Sequence, residues 1–227
     1  MEDLKHKLEV QRGILYACSD TFKDIKYLQG NGVTGEPENE LLGFYQWRFI
    51  HELMWNYLIL ELSKLYSKSS NDKYRIEAVL NILNLKCNKP PFKDKLNKES
   101  IAELLQEFKS EEFDRHYSKL NNIRDKYVAH LDRDRTDLRI ENEDIEYFLK
   151  LSERVVKEVI DPVEIGGGSY YFGKPATMKS FVGKMAEYKG VYDKVEKAVT
   201  EKDYKHETEK DLLRILGKRN FIVEGIG

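Results

Sequence analysis

"FYQWRFIHELMWNYLILELSKLY", residues 44–66, is the most apolar stretch of the chain, and its spacing places apolar side chains on nearly every face of a helix. Together with its flanks it predicts one helix over roughly 38–67. A helix apolar almost all round is either the central element of a bundle or part of an oligomer interface. Arg48, His51 and Glu52 interrupt it within little more than a turn. Buried charges need partners, so these residues read either as an internal ion-pair or hydrogen-bond cluster or, for Arg48 and Glu52, as the lining of a functional cleft. "HELMW" begins like the zinc motif HExxH, but Trp55 stands where the second histidine belongs, so a zinc protease site is excluded.

The helical pattern continues outward in both directions. Leu4, Leu8, Leu15, Cys18, Phe22 and Ile25 are spaced as the apolar stripe of a helix over 3–28 that stops at "QGNG". Pro37 and the acids after it favour a helix start. Downstream, a shorter helix is expected over about 72–86, with Ser69 and Asn71 as cap candidates, and Pro90-Pro91 break it. Ser100 then offers a cap with Glu103 completing a capping box. Further helices are expected from about 110 through "YVAHL" and over 141–160. After Asp161-Pro162 the composition shifts: "IGGGSYYFGKP" reads as a hinge without regular helix. A narrow stripe of Met178, Val182, Met185, Tyr188, Tyr192, Val195 and Val199 marks a helix over 176–199 that must pack on something else. A short last helix ends at Gly217. No repeat and no strand pattern emerges. The expectation is an all-α bundle of about five helices over 1–161, followed by a glycine-hinged helical extension over 162–227.

Composition narrows the function classes. With 38 Lys+Arg against 40 Asp+Glu the formal charge is −2, so no global field recruits nucleic acid or acidic membranes, and any such contact is local. The segment 174–227 is mildly basic, 12 Lys/Arg against 9 Asp/Glu. Phe and Tyr number 14 Tyr and 10 Phe, enough for a core and too many for disorder. Cys18 and Cys87 sit in no CxxC or Cys/His cluster and read as reduced structural thiols. The start, MEDLKHKLEV, has no signal-peptide pattern, and the longest uncharged apolar run, Leu53–Leu60, is too short for a bilayer. A soluble, cytoplasmic protein is expected, with no membrane partner.

The chemistry concentrates in "IRDKYVAHLDRDR", residues 123–135. On a wheel with Tyr127 at zero, Leu120, Ile123 and Leu131 form the apolar stripe; Arg124 lies at about +60° and His130 at about −60°. The rise between them is about 9 Å. They are too far apart to bond to each other, yet both can converge on a ligand beside the stripe. Asp125, at about 160°, faces away and is expected to fix the helix or an adjacent arginine; Tyr127 reads as core. A capped helix end would also place an arginine and a histidine at the stripe's borders.

Arg124-Asp125, four residues and His130, near the end of a late helix in an all-α chain, resemble the HEPN superfamily (higher eukaryotes and prokaryotes nucleotide-binding) and its pattern Arg-x(4–6)-His. The segment 44–66 and the phrase "IRDKYVAHLD" are similar to the abortive-infection AbiU-type HEPN-like proteins, and the resemblance covers roughly residues 1–160. It implies a metal-independent endoribonuclease of phage defence or toxin type, working as a homodimer whose two motifs form one cleft for RNA. The chemistry implied is attack of a 2′-hydroxyl on the adjacent phosphate. His130 suits proton transfer near neutral pH, and Arg124 suits a phosphate and its developing charge. Arg48, Glu52, Asp125 and Tyr127 would be supporting residues. No cofactor or metal is expected, and in a toxin-type role an antitoxin would be a further partner. The alternative is a non-catalytic helical module that binds a nucleotide, RNA or protein.

Other polar residues read more simply. His116 faces the apolar stripe as a satisfied core histidine, at about −20° on the same wheel. The alternating charges of "HLDRDRTDLR" neutralise one another and suit a solvated loop. "GGGSYYFGKP" lacks the Lys-Ser/Thr ending of a phosphate loop.

Overall fold

The computed structural model describes residues 2–30, 33, 35–43, 45–125, 140–163 and 177–200. Among them are eight α-helices and no strand, so the class is all-α. In chain order they are α1 (Glu2–Leu28), α2 (Glu36–Leu42), α3 (Tyr45–Leu65), α4 (Ile76–Lys86), α5 (Lys98–Glu107), α6 (Glu111–Ile123), α7 (Asn142–Val155) and α8 (Thr177–Thr200). Beyond α7 the chain widens into π turns over Val156–Ile160 and tightens into a 3₁₀ turn over Asp161–Val163. The glycine-rich segment and the expected last helix lie outside the described residues.

The single helix expected over 38–67 is two. α2 stops at Gly43, whose N–H reaches the carbonyls of Asn39 and Glu40. A Cβ there would sit 3.3 Å from the Glu40 carbonyl oxygen, so the chain turns at a residue that carries none. Two caps also differ from the sequence expectation. Asn97, not Ser100, caps α5: its side-chain oxygen accepts from the N–H groups of Glu99 and Ser100. The helix expected from 72 begins at Ile76, because Ser69 accepts from the Asn71 N–H within the preceding turn.

Two compact units are present: Met1–Lys23 with Glu52–Lys174, and Asp24–His51 with Pro175–Gly227. The sequence division at 161/162 falls inside the first. That unit's core is aromatic. Tyr66, fully buried, packs its ring 4.8 Å from Phe148, 5.7 Å from Phe108 and 6.1 Å from Phe113. Its hydroxyl donates to the Phe148 carbonyl (2.9 Å) and shares a 2.7 Å hydrogen bond with Ser152. Burial pushes that phenol's pKa well above its ordinary value. Cys18 and Cys87 are free and buried, and burial raises the Cys18 thiol far out of the reactive range.

In the second unit Tyr27, Leu41, Trp47, Val182 and Ala186 form the core, with α8 lying against α2. The buried seam of α8 is Val182 and Ala186 with Met178 beside them; Met185 and Tyr192, expected in the stripe, are exposed. Spacing along α8 fits either seam, and the small Ala186 lets α2 approach where Met185 would not. Asp24 accepts from the Met178 N–H (2.9 Å), satisfying an orphan donor at the start of α8. Lys189 bridges Asp193 (2.7 Å) and Glu40 (2.8 Å), and these two carboxylates push its pKa up to about 12.

Candidate functional site

α6 leads into the candidate site residues. Ser110 caps it by accepting from the Phe113 N–H at 3.0 Å, and Glu111, Glu112 and Asp114 fill its first turn, where the helix dipole favours acids. Phe113, His116, Leu120 and Ile123 form its buried stripe, and Arg124 and Asp125, the two residues that follow it, are only partly buried. Arg124 has 29% of its side chain exposed. Its Nε and Nη2 donate to one oxygen of Asp125, at 2.8 and 2.6 Å. The other Asp125 oxygen accepts from Asn121 Nδ2 at 3.0 Å. Asn121 therefore anchors the carboxylate and the carboxylate anchors the guanidinium. A wheel separates neighbouring residues by about 100°, but the long Arg124 side chain spans that angle. The result is a partly exposed guanidinium with its orientation fixed, which is what charge-assisted recognition of a phosphate needs.

Of the other sequence-predicted site residues, His130 and Tyr127 lie outside the described residues. Arg48 and Glu52 are both exposed on α3 and both engaged in contacts, so the expectation of charges buried within that helix is corrected. The reason is visible in the same helix: Trp47, Leu58, Ile59, Leu62 and Leu65 face a core, while Tyr45, Phe49, Leu53 and Tyr57 face outward. Among the described residues no group of three or more His, Cys, Asp or Glu is placed to hold a metal ion. None of the described helices is long and apolar enough to cross a membrane.

His116 is indeed buried and bonded, but its network is larger than a core histidine requires. Its Nδ1 lies 2.7 Å from Asp144 Oδ1, and its ring stacks on Tyr147 with centroids 4.4 Å apart. Asp144 is 1% exposed and also receives Lys119 Nζ, at 2.8 and 3.0 Å, and the Glu141 N–H at 3.0 Å. Burial opposes the Asp144 charge, yet Lys119, the Glu141 N–H and His116 together outweigh it and hold the carboxyl below its ordinary pKa. Tyr147 donates to Glu107 at 2.7 Å, and burial with that carboxylate raises its phenol pKa. Sequence reading missed Asp144, whose signal is slight: an acid at the third position of a helix, where a capping box with Glu141 already accounts for it.

The all-α class and the arginine at the end of a late helix are consistent with a HEPN-like protein. The AbiU2 family model (HEPN_AbiU2) matches residues 6–174, and the chain belongs to that family. No curated protein and no solved structure matches it.

Proposed function

We propose that the protein is a metal-independent endoribonuclease of the HEPN type, acting on cytoplasmic RNA in phage defence or as a toxin. Family membership supports the reading. The observation that carries it is the anchored Arg124 guanidinium, held by Asp125 and Asn121 six residues before His130. Arg124 binds the scissile phosphate and His130 moves the protons as the 2′-hydroxyl attacks. A second copy of the chain completes the cleft, and in the toxin-type role an antitoxin restrains it. The outward-facing Tyr45, Phe49, Leu53 and Tyr57 support self-association.

The test is RNA cleavage by the purified chain in the presence of a chelator. Wild type is expected to leave 2′,3′-cyclic phosphate ends, and Arg124→Ala or His130→Ala to lower the rate at least about a hundredfold. No cleavage by wild type would overturn the reading. One observation favours the second reading, a non-catalytic module for RNA, a nucleotide or a protein: Arg124 already has a carboxylate partner within the chain. Binding without cleavage would establish it.

A further inference from the structure

Arg115 and His116 are neighbours on α6, and the contact between them fixes where the ring proton sits. A guanidinium has no acceptor, so in the 3.2 Å contact Arg115 Nη2 donates and His116 Nε2 accepts. The ring is therefore neutral, and its proton lies on Nδ1, donated to Asp144 Oδ1 at 2.7 Å. Lys119 and the Glu141 N–H hold Asp144 in place as the acceptor, so the ring has one orientation that keeps both of its bonds. Tyr147, tied to Glu107, stacks on the ring and limits its rotation further.

A second proton enters this ring at one atom alone, Nε2, and there it meets Arg115. Imidazole takes up that proton between about pH 5 and 8. Once charged, Nε2 is a donor, and two cationic donors do not share a 3.2 Å contact. The next acceptor is Glu112, four residues before His116 and so on the same face of α6. Its carboxylate already lies 3.9 Å from the Arg115 nitrogen that has to leave. The Arg115 and Glu112 side chains are both more than half exposed, so each can move without disturbing the core. The pair opens onto a groove of about 480 Å³, where Glu143 and Glu146 offset Lys150 and Arg154, so no excess of cations opposes the new charge.

We propose that His116 is a proton-operated latch on Arg115. In the neutral state the ring holds the guanidinium against the groove wall. In acid the imidazolium keeps its bond to Asp144, donates Nε2–H to Glu112 and lets Arg115 go. What the latch controls is a cation: Arg115 is engaged within the chain at neutral pH and open to an anionic group outside the chain in acid. The device stands apart from the Arg124 motif and does not depend on the chain acting on RNA.

The experiment follows the full chain, labelled with nitrogen-15, by NMR from pH 8 to pH 5. His116→Gln and Arg115→Lys assign the two side chains by the loss of their signals. At pH 8 the ring is expected to carry its proton on Nδ1 with Nε2 bare, and the Arg115 Nε–H to be ordered. As the pH falls, Nε2 gains its proton and the Arg115 signal becomes averaged, both with one midpoint. Glu112→Gln is expected to leave the pH 8 state intact and to move that midpoint to lower pH, because a neutral amide receives the imidazolium less well than a carboxylate does. A proton on Nε2 at pH 8, or an Arg115 already averaged there, would overturn the proposal. So would a ring that stays neutral to pH 5, an Arg115 that stays ordered while the ring titrates, or a midpoint that Glu112→Gln leaves unmoved.

Discussion

Asp125 and Asp144 are both carboxylates that serve a neighbour, but their surroundings give them different weight. Asp125 is 47% exposed, so its pair with Arg124 contributes orientation more than stability, because exposed ion pairs are worth little in water. Asp144 is buried with a lysine, a histidine and a backbone N–H converging on it, and protonating it would leave those donors facing a neutral group. Its native pKa is depressed below the ordinary 3.8, so the native state binds fewer protons than the unfolded chain at acid pH. The stability it contributes is complete above that ordinary value and is lost as the pH falls through the lower native one. The melting midpoint of the wild type is therefore expected to fall between pH 5 and pH 3. Asp144→Asn should be less stable at pH 5 and flatter across that range; an equally steep fall in the variant would mean that other carboxylates set the acid limit.

At the scale of the helices, local sequence chemistry explains most of the boundaries. α1 and α8 lie within two residues of the ranges their apolar periodicity predicts, and α7 with the π turns that follow it, to Ile160, fills the range predicted over 141–160, because each buries a stripe that only a helix can form. The misreadings arose where two local solutions competed. Ser100 with Glu103 fits a capping box, yet Asn97 starts α5 one turn earlier and takes two orphan N–H groups itself. Asn97→Ala is expected to cost about 1 kcal/mol, lowering the melting midpoint by about 2–4 °C, whereas Ser100→Ala should stay within about 0.5 kcal/mol. Equal losses from the two would return the cap to Ser100. The site was legible in the same uneven way. Arg124 stands out because its spacing to His130 is a motif within one segment. The His116–Asp144 pair joins residues 28 positions apart, and only the packing of α6 on α7 brings them together.

At the scale of the whole molecule, α3 presents a row of apolar side chains to its surroundings. Tyr45 is 77% exposed, Phe49 53%, Leu53 51% and Tyr57 41%, each four residues from the next along one helix. A row at that spacing is a ridge that fits the groove of another helix, and a two-fold pair can bury the same row on both copies. A fully buried side chain of this size contributes about 1.5–3 kcal/mol, and in a symmetric pair each substitution acts twice. Phe49→Glu is therefore expected to convert a dimer into a monomer by light scattering at micromolar concentration. RNA cleavage should fall with it, because the cleft proposed above needs both copies. Leu85, 78% exposed on α4 and outside the row, supplies the control: Leu85→Glu should leave mass and activity unchanged. If the wild type is itself a monomer, or Phe49→Glu remains a dimer, this row is not the self-interface. It then becomes the surface on which the binding-module reading would seat a different protein.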